Sequence, residues 1–111
     1  MTIAFWICAA VTTVSAAVSF GYSVAGLRSA RGPEQVGMMY AFARSLALLV
    51  VAIIALFAGS TAFVAAVAIA MVVVQAADAI IGVRTRDTLK TVGPAVTAVA
   101  NLGVLIWMLA A

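Results

Sequence analysis

The sequence predicts an all-α fold, a bundle of four membrane-spanning helices, and three observations carry that expectation. Of 111 residues, 68% are hydrophobic and 8% charged, against about 45 to 50% apolar and about 25% charged in a soluble domain. So few charges cannot cover a water-exposed surface, and most of this one must face hydrocarbon. The apolar residues also form four runs, roughly 3–27, 36–58, 61–83 and 91–110, each near the 20 residues that a helix needs to cross a bilayer. Finally, the connections between runs are short and rich in turn formers, which leaves one integral membrane domain over residues 1–111.

The first run, Ile3 to Leu27, lacks the basic leader of a secretory signal and exceeds its usual apolar stretch, so it is expected to be a mature helix. Arg28 to Gln35 follows, with Gly32 and Pro33 as helix breakers. The second and third runs meet at the tight Gly59-Ser60 turn and should form a helical hairpin. After Arg84 to Lys90, Thr91 is expected to cap the last helix, with Pro94 in its first turn.

Of the six basic residues, Arg28, Arg31, Arg84, Arg86 and Lys90 fall in the first and third connections, while both termini and the middle turn carry no basic side chain. Short loops rich in Lys and Arg stay cytoplasmic, which predicts an up-down-up-down bundle with both termini extracytoplasmic. Trp6 and Trp107 then sit at the outer boundary and Tyr22 and Tyr40 near the inner one, where amphipathic aromatics belong. The net charge of +3 is thus a topology signal. No aromatic or Gly-rich platform surrounds it, so no nucleic-acid partner is expected.

Gly26-Leu27-Arg28-Ser29 and Gly82-Val83-Arg84-Thr85 share a pattern, and Val36-Gly37 recurs as Val92-Gly93 at the same offset of 56 residues. A parallel repeat of two helix pairs would explain this. So would a common way of ending a helix at the inner interface, and the polar residues do not repeat: Arg44 aligns with Ala100 and Asp78 with Tyr22.

Function is expected where the spans carry polar groups. Counted from the Gly59-Ser60 turn, Arg44 and Gln75 lie level, and Asp78 follows Gln75 by one turn on the same face. An unpaired Asp or Arg at mid-span costs about 2.5 to 3.5 kcal/mol, whereas each large apolar residue returns only about 0.3 to 0.6. Arg44 is long enough to cover one turn, so the two charges are expected to pair in the cytoplasmic half of the bilayer. Tyr40 precedes Arg44 on its face, Ser15, Ser19 and Tyr22 make a stripe on the first span, and Thr97 and Asn101 make one on the fourth. The candidate ligand-binding residues are therefore Arg44, Asp78, Gln75, Tyr40, Asn101, Tyr22 and Ser19. Such Ser, Thr and Asn side chains equally serve as interhelical fasteners.

Several classes of function find no support. Cys8 is the single cysteine and histidine is absent, which removes disulfides, His- or Cys-based zinc sites and His-dependent triads. Cys8 reads as a small membrane-facing residue, Met38, Met39 and Met71 as gap fillers, and Asp78 with Asp87 as a poor metal pair; no cofactor is expected. Ala62, Ala66 and Ala70 form a small-residue ladder that would let another backbone approach the third helix, in mid-bundle or at a subunit contact.

Three readings remain. A membrane-embedded isomerase or cyclase would use Asp78 as acid or base, but Arg44 beside it favours the ionised carboxylate. An ion-coupled transporter would need to self-associate to build a pathway. Four helices in so short a chain is similar to the small multidrug resistance exporters, yet their essential Glu in the first helix has no counterpart between Ile3 and Leu27, and the asymmetric basic loops oppose their dual topology. The favoured reading is a binding or scaffold subunit. Its polar interior would fix helix register or hold a lipid or small hydrophobic molecule, while its basic loops, at about 1 kcal/mol per residue, lie on anionic lipids.

YAFARSLALLV, QAADAIIGVRTRD and VGPAVTAVANL, spread over Tyr40 to Leu102, resemble small bacterial four-helix integral membrane proteins of undefined activity, with their Arg-x-Leu-Ala-Leu and Asp-Ala-x-Ile-Gly elements. The resemblance implies a multi-pass protein of the bacterial cytoplasmic membrane and singles out Arg44 and Asp78. It implies no reaction.

Overall fold

The computed structural model describes residues 2–86 and 88–110. Asp87 and the side chain of Lys90, both weighed above, lie outside the described residues. Four helices account for nearly all of the rest: α1 (Ile3–Ser29), α2 (Pro33–Ala58), α3 (Thr61–Arg84) and α4 (Thr88–Ala110). All four are long and apolar enough to cross a membrane, and the longest dimension of 47 Å matches a bilayer with its headgroups, about 40 to 45 Å.

Local chemistry sets the helix ends. Thr2 Oγ1 accepts the Phe5 N–H at 3.2 Å and Ser60 Oγ accepts the Phe63 N–H at 3.2 Å, so each caps an otherwise orphaned donor. Pro33 opens α2 at its first position, where its missing N–H costs nothing. Gly32 and Gly59 have φ of 63° and 66°, a region that glycine enters without a Cβ clash. The turn expected at Gly59-Ser60 is therefore present. One boundary differs: α4 begins at Thr88, a turn before Thr91, so Thr91 does not cap it and Pro94 lies inside the helix. A proline there lacks one ladder donor but leaves the first turn free to form upstream.

α1 packs chiefly on α2, and α3 chiefly on α4. α1 and α3 also touch across the bundle, which places both at its centre and keeps α2 apart from α4. Despite their tight turn, α2 and α3 touch least of all the packed pairs. The section is accordingly flat, 24 by 15 Å.

The apolar core gathers the beginnings of α1 and α3 and the ends of α2 and α4. Phe5, Cys8, Ala52, Val64, Met71, Leu105 and Met108 fill it. Cys8 is wholly buried, which corrects its assignment to the lipid face: it falls at the crowded centre, where only a small side chain fits beside Phe5 and Met71. Outside this core, Ile53, Ile54 and Phe57 are exposed, as side chains solvated by acyl chains should be. The alanine ladder does not join the helices of one chain, because Ala62 and Ala66 are exposed and Ala70 is half-buried.

Two polar contacts fasten α1 to its neighbours. Asn101 Nδ2 donates to Thr12 Oγ1 at 3.0 Å, both side chains being buried. Ser23 and Ser45 bring their hydroxyls to 2.7 Å, and each also lies within reach of a carbonyl in its own helix, Phe20 or Phe42. Two protons cannot serve three bonds, so one hydroxyl donates to its backbone while the other donates across the interface.

Candidate functional site

Asp78 stands six residues before the end of α3, about 9 Å of helix rise, with its side chain only 22% exposed. A carboxylate there is too short to reach water along its own helix and needs a partner from another. Arg44 of α2 supplies it. Its Nη2 donates to Oδ1 at 3.2 Å and to Oδ2 at 3.4 Å, with 45% of the arginine side chain still exposed. The contact joins α2 and α3, the packed pair that touches least, and it borders a gap between the helices.

That gap is the edge of a cavity of about 290 Å³, just below the range for small-molecule sites, about 300 to 1,000 Å³. All four helices line it: α1 with Ser19, Tyr22, Ser23 and Gly26, α2 with Met38, Ala41 and Arg44, α3 with Gln75, Asp78 and Gly82, and α4 with Gly93, Pro94 and Thr97. The wall is mostly apolar, with polar groups converging from α2 and α3. This is the usual composition of a site that encloses an oily molecule and orients it by one polar end.

Gln75 is the decisive residue. It is 3% exposed, lines the cavity, and its Oε1 has no hydrogen-bond partner among the described residues. A buried amide oxygen left unpaired costs about 1 to 3 kcal/mol, so its retention needs a reason that packing does not give. Thr97 spends its proton on its own helix, donating to Gly93 O or Pro94 O at 3.1 or 3.0 Å, which leaves its lone pairs facing the same space. No cluster of three or more metal-ligating side chains occurs among the described residues.

The structure brings five of the seven sequence-derived candidates to one place: Arg44, Asp78, Gln75, Tyr22 and Ser19. Tyr40, 75% exposed, stands outside the lining. Asn101 is buried at Thr12 on the far side of Gln75 along the bundle and serves as a fastener between α1 and α4, although its Oδ1 also lacks a partner among the described residues. Comparison with protein families, curated proteins and solved structures finds no match to this chain. The site's chemistry must speak for itself.

Sequence reasoning passed over Gly26 and Gly82, which both line the cavity. They are the paired glycines of the 56-residue offset, so the signal was on the page but was read as helix termination. A Cβ at Gly26 would run into the end of the Met38 side chain; the glycine therefore makes room for Met38, which lines the cavity beside it.

Proposed function

We propose that this chain is a small multi-pass membrane protein that binds a lipid or a small hydrophobic molecule in the cavity between its helices. The observation that carries the reading is the unpartnered Gln75 Oε1, 97% buried with its residue in the wall of a space that also holds the Arg44–Asp78 pair. Buried polar groups are as a rule satisfied, and among the described residues Gln75 differs from Asn101, whose Oδ1 is also unpaired, in that it lines the cavity and makes no fastening bond to another helix. Here one atom is left over, in a residue that lines the cavity.

The same proposal sets the chain in the membrane with up-down topology, both termini extracytoplasmic and the Arg28, Arg31, Arg84 and Arg86 loops on the inner side. In that orientation the cavity opens in the inner half of the bilayer, and the arginines rest on anionic headgroups. A bacterial cytoplasmic membrane, and kinship with small four-helix proteins of that membrane, belong to this proposal on the strength of the Arg44 and Asp78 segments. Self-association would give the exposed alanine ladder of α3 a partner.

The test is native mass spectrometry of the protein released from its own membranes. A co-purifying small molecule held by the wild type and absent from Ala41→Leu, which fills the cavity from α2, is the expected result. Equal retention by both proteins, or none by either, overturns the reading. Gradient-driven flux in liposomes that disappears in Asp78→Asn would instead establish a transporter.

A further inference from the structure

We infer that the cavity selects an uncharged amphiphile whose polar end both donates and accepts hydrogen bonds, a hydroxyl or a primary amide, with the Gln75 side-chain amide as the group that reads it. This rests on the binding function proposed above and specifies the class of ligand.

The argument begins with charge. Of the cavity-lining residues, Arg44 and Asp78 are charged, one of each sign, and they are already bonded to each other at 3.2 Å. A carboxylate or phosphate entering this space would share Arg44 with Asp78 and meet the aspartate as a like charge; an ammonium would share Asp78 and meet the guanidinium. Either arrangement is penalised strongly where water is scarce. A neutral head leaves the pair intact.

The free hydrogen-bonding groups narrow the class further. The Gln75 amide offers an acceptor and two donors: among the described residues its Oε1 has nothing to accept from, and its Nε2 is equally uncommitted. Thr97 donates to its own helix and has only lone pairs to offer. Arg44 commits Nη2 to Asp78, while its Nη1 and Nε make no hydrogen bond among the described residues. A hydroxyl answers both requirements, because it donates one proton and accepts from an N–H. A ketone or ester could take up the N–H groups but would leave Gln75 Oε1 and the Thr97 lone pairs without a donor, and a plain hydrocarbon would leave every group unmatched. Size completes the description: 290 Å³ is about twice the 150 Å³ cavity that takes up benzene, room for roughly a dozen heavy atoms with a chain that can trail out between helices.

The experiment uses the full chain in lipid nanodiscs with glutamine side-chain amides labelled by ¹⁵N. Gln35 and Gln75 are the two glutamines, and Gln35, exposed at the start of α2, reports general partitioning into the bilayer. Four probes of one chain length are titrated: 1-octanol, octanoate, octylammonium and octane. Octanol should shift the Gln75 amide saturably and bind about tenfold more tightly than the others, the worth of one hydrogen bond to a buried group. In Gln75→Leu, followed by competition with a spin-labelled octanol analogue, alcohol and alkane should bind alike. If octanoate or octylammonium binds as well as octanol or better, the inference falls while the binding function stands. If none of the four perturbs Gln75 beyond what Gln35 shows, the binding function falls with it.

Discussion

Breaking the Arg44–Asp78 contact from its two sides should have unequal consequences. α3 runs from Thr61 to Arg84, so Asp78 lies about 8 Å from its midpoint at 1.5 Å per residue, roughly half-way to the edge of a hydrocarbon core about 30 Å thick. The mid-span cost of about 2.5 to 3.5 kcal/mol for a lone carboxylate therefore falls to about 1 to 2 kcal/mol at this depth. Arg44→Ala leaves that carboxylate, 22% exposed, with no escape. Asp78→Ala leaves an arginine that is already 45% exposed and long enough to carry its head to the interface, at about 0.5 kcal/mol.

Reversible unfolding in mixed micelles, driven by dodecyl sulfate and followed by circular dichroism, measures both changes. Arg44→Ala should lower stability by about 1 to 2 kcal/mol and Asp78→Ala by less than half as much. The double variant Arg44→Met with Asp78→Leu should be no worse than Arg44→Ala alone, because a broken pair costs more than an absent one. The exchanged pair, Arg44→Asp with Asp78→Arg, should recover part of the loss. Equal losses from the two alanine variants, or losses that add within about 0.5 kcal/mol in the double-alanine variant, would refute the claim that these charges meet inside the bilayer.

The remaining expectations follow from other contacts. Thr12→Val should destabilise by about 1 to 2 kcal/mol, more than Asn101→Leu, because it strands a buried amide whose Oδ1 is already unpaired whereas the leucine removes both polar atoms; the same unfolding assay decides, and the reverse order would show that the contact is not what holds Asn101. Cys8, wholly buried, should resist a membrane-permeant maleimide in the folded protein and label fully after unfolding, as mass spectrometry would show. Gly26→Ala should leave stability within about 1 kcal/mol of wild type, helix propensity offsetting the displaced Met38 thioether, yet weaken binding of 1-octanol in the amide titration; unchanged affinity would mean that Met38 does not move into the cavity.

The helices were legible because each is a long apolar run, and the chain offers no competing pattern. Thr61 to Arg84 differs from the expected third span by one residue, and Arg44 finds Asp78 as depth-counting from Gly59-Ser60 requires. What resisted reading was rotation about the helix axes. A span that is apolar all round has almost no amphipathic face to orient it, so the inward positions are set by volume: Cys8 and Ala68 are wholly buried while Phe57 and Tyr40 stand outside. Tyr40 lies between Met38 and Ala41, which line the cavity, yet it is exposed and outside the lining, so rotation about the axis of α2 and not depth excludes it. Asn101 was grouped with the ligand site because polar residues in spans look alike in sequence; only the distance to Thr12 tells a fastener from a binding group.

The distribution of packing along the bundle explains why a cavity can persist where it does. At one end Phe5, Val64, Met71, Leu105 and Met108 interlock, and a close-packed apolar interior of that kind resists deformation. At the other end α1, α3 and α4 present Ser19, Gly26, Gly82 and Gly93, residues too small to fill the space between them. Collapse there would bring Arg44 and Asp78 among backbone atoms that cannot replace the partners they now have, while lengthening the small residues would expel whatever occupies the space. The helices are thus held together from the dense end, and the ion pair keeps α2 and α3 at a fixed spacing at the open one. Shortening the charged strut without removing the charges, by Arg44→Lys with Asp78 kept, should therefore change the affinity for 1-octanol more than it changes stability, since the spacing it sets belongs to the cavity and not to the core.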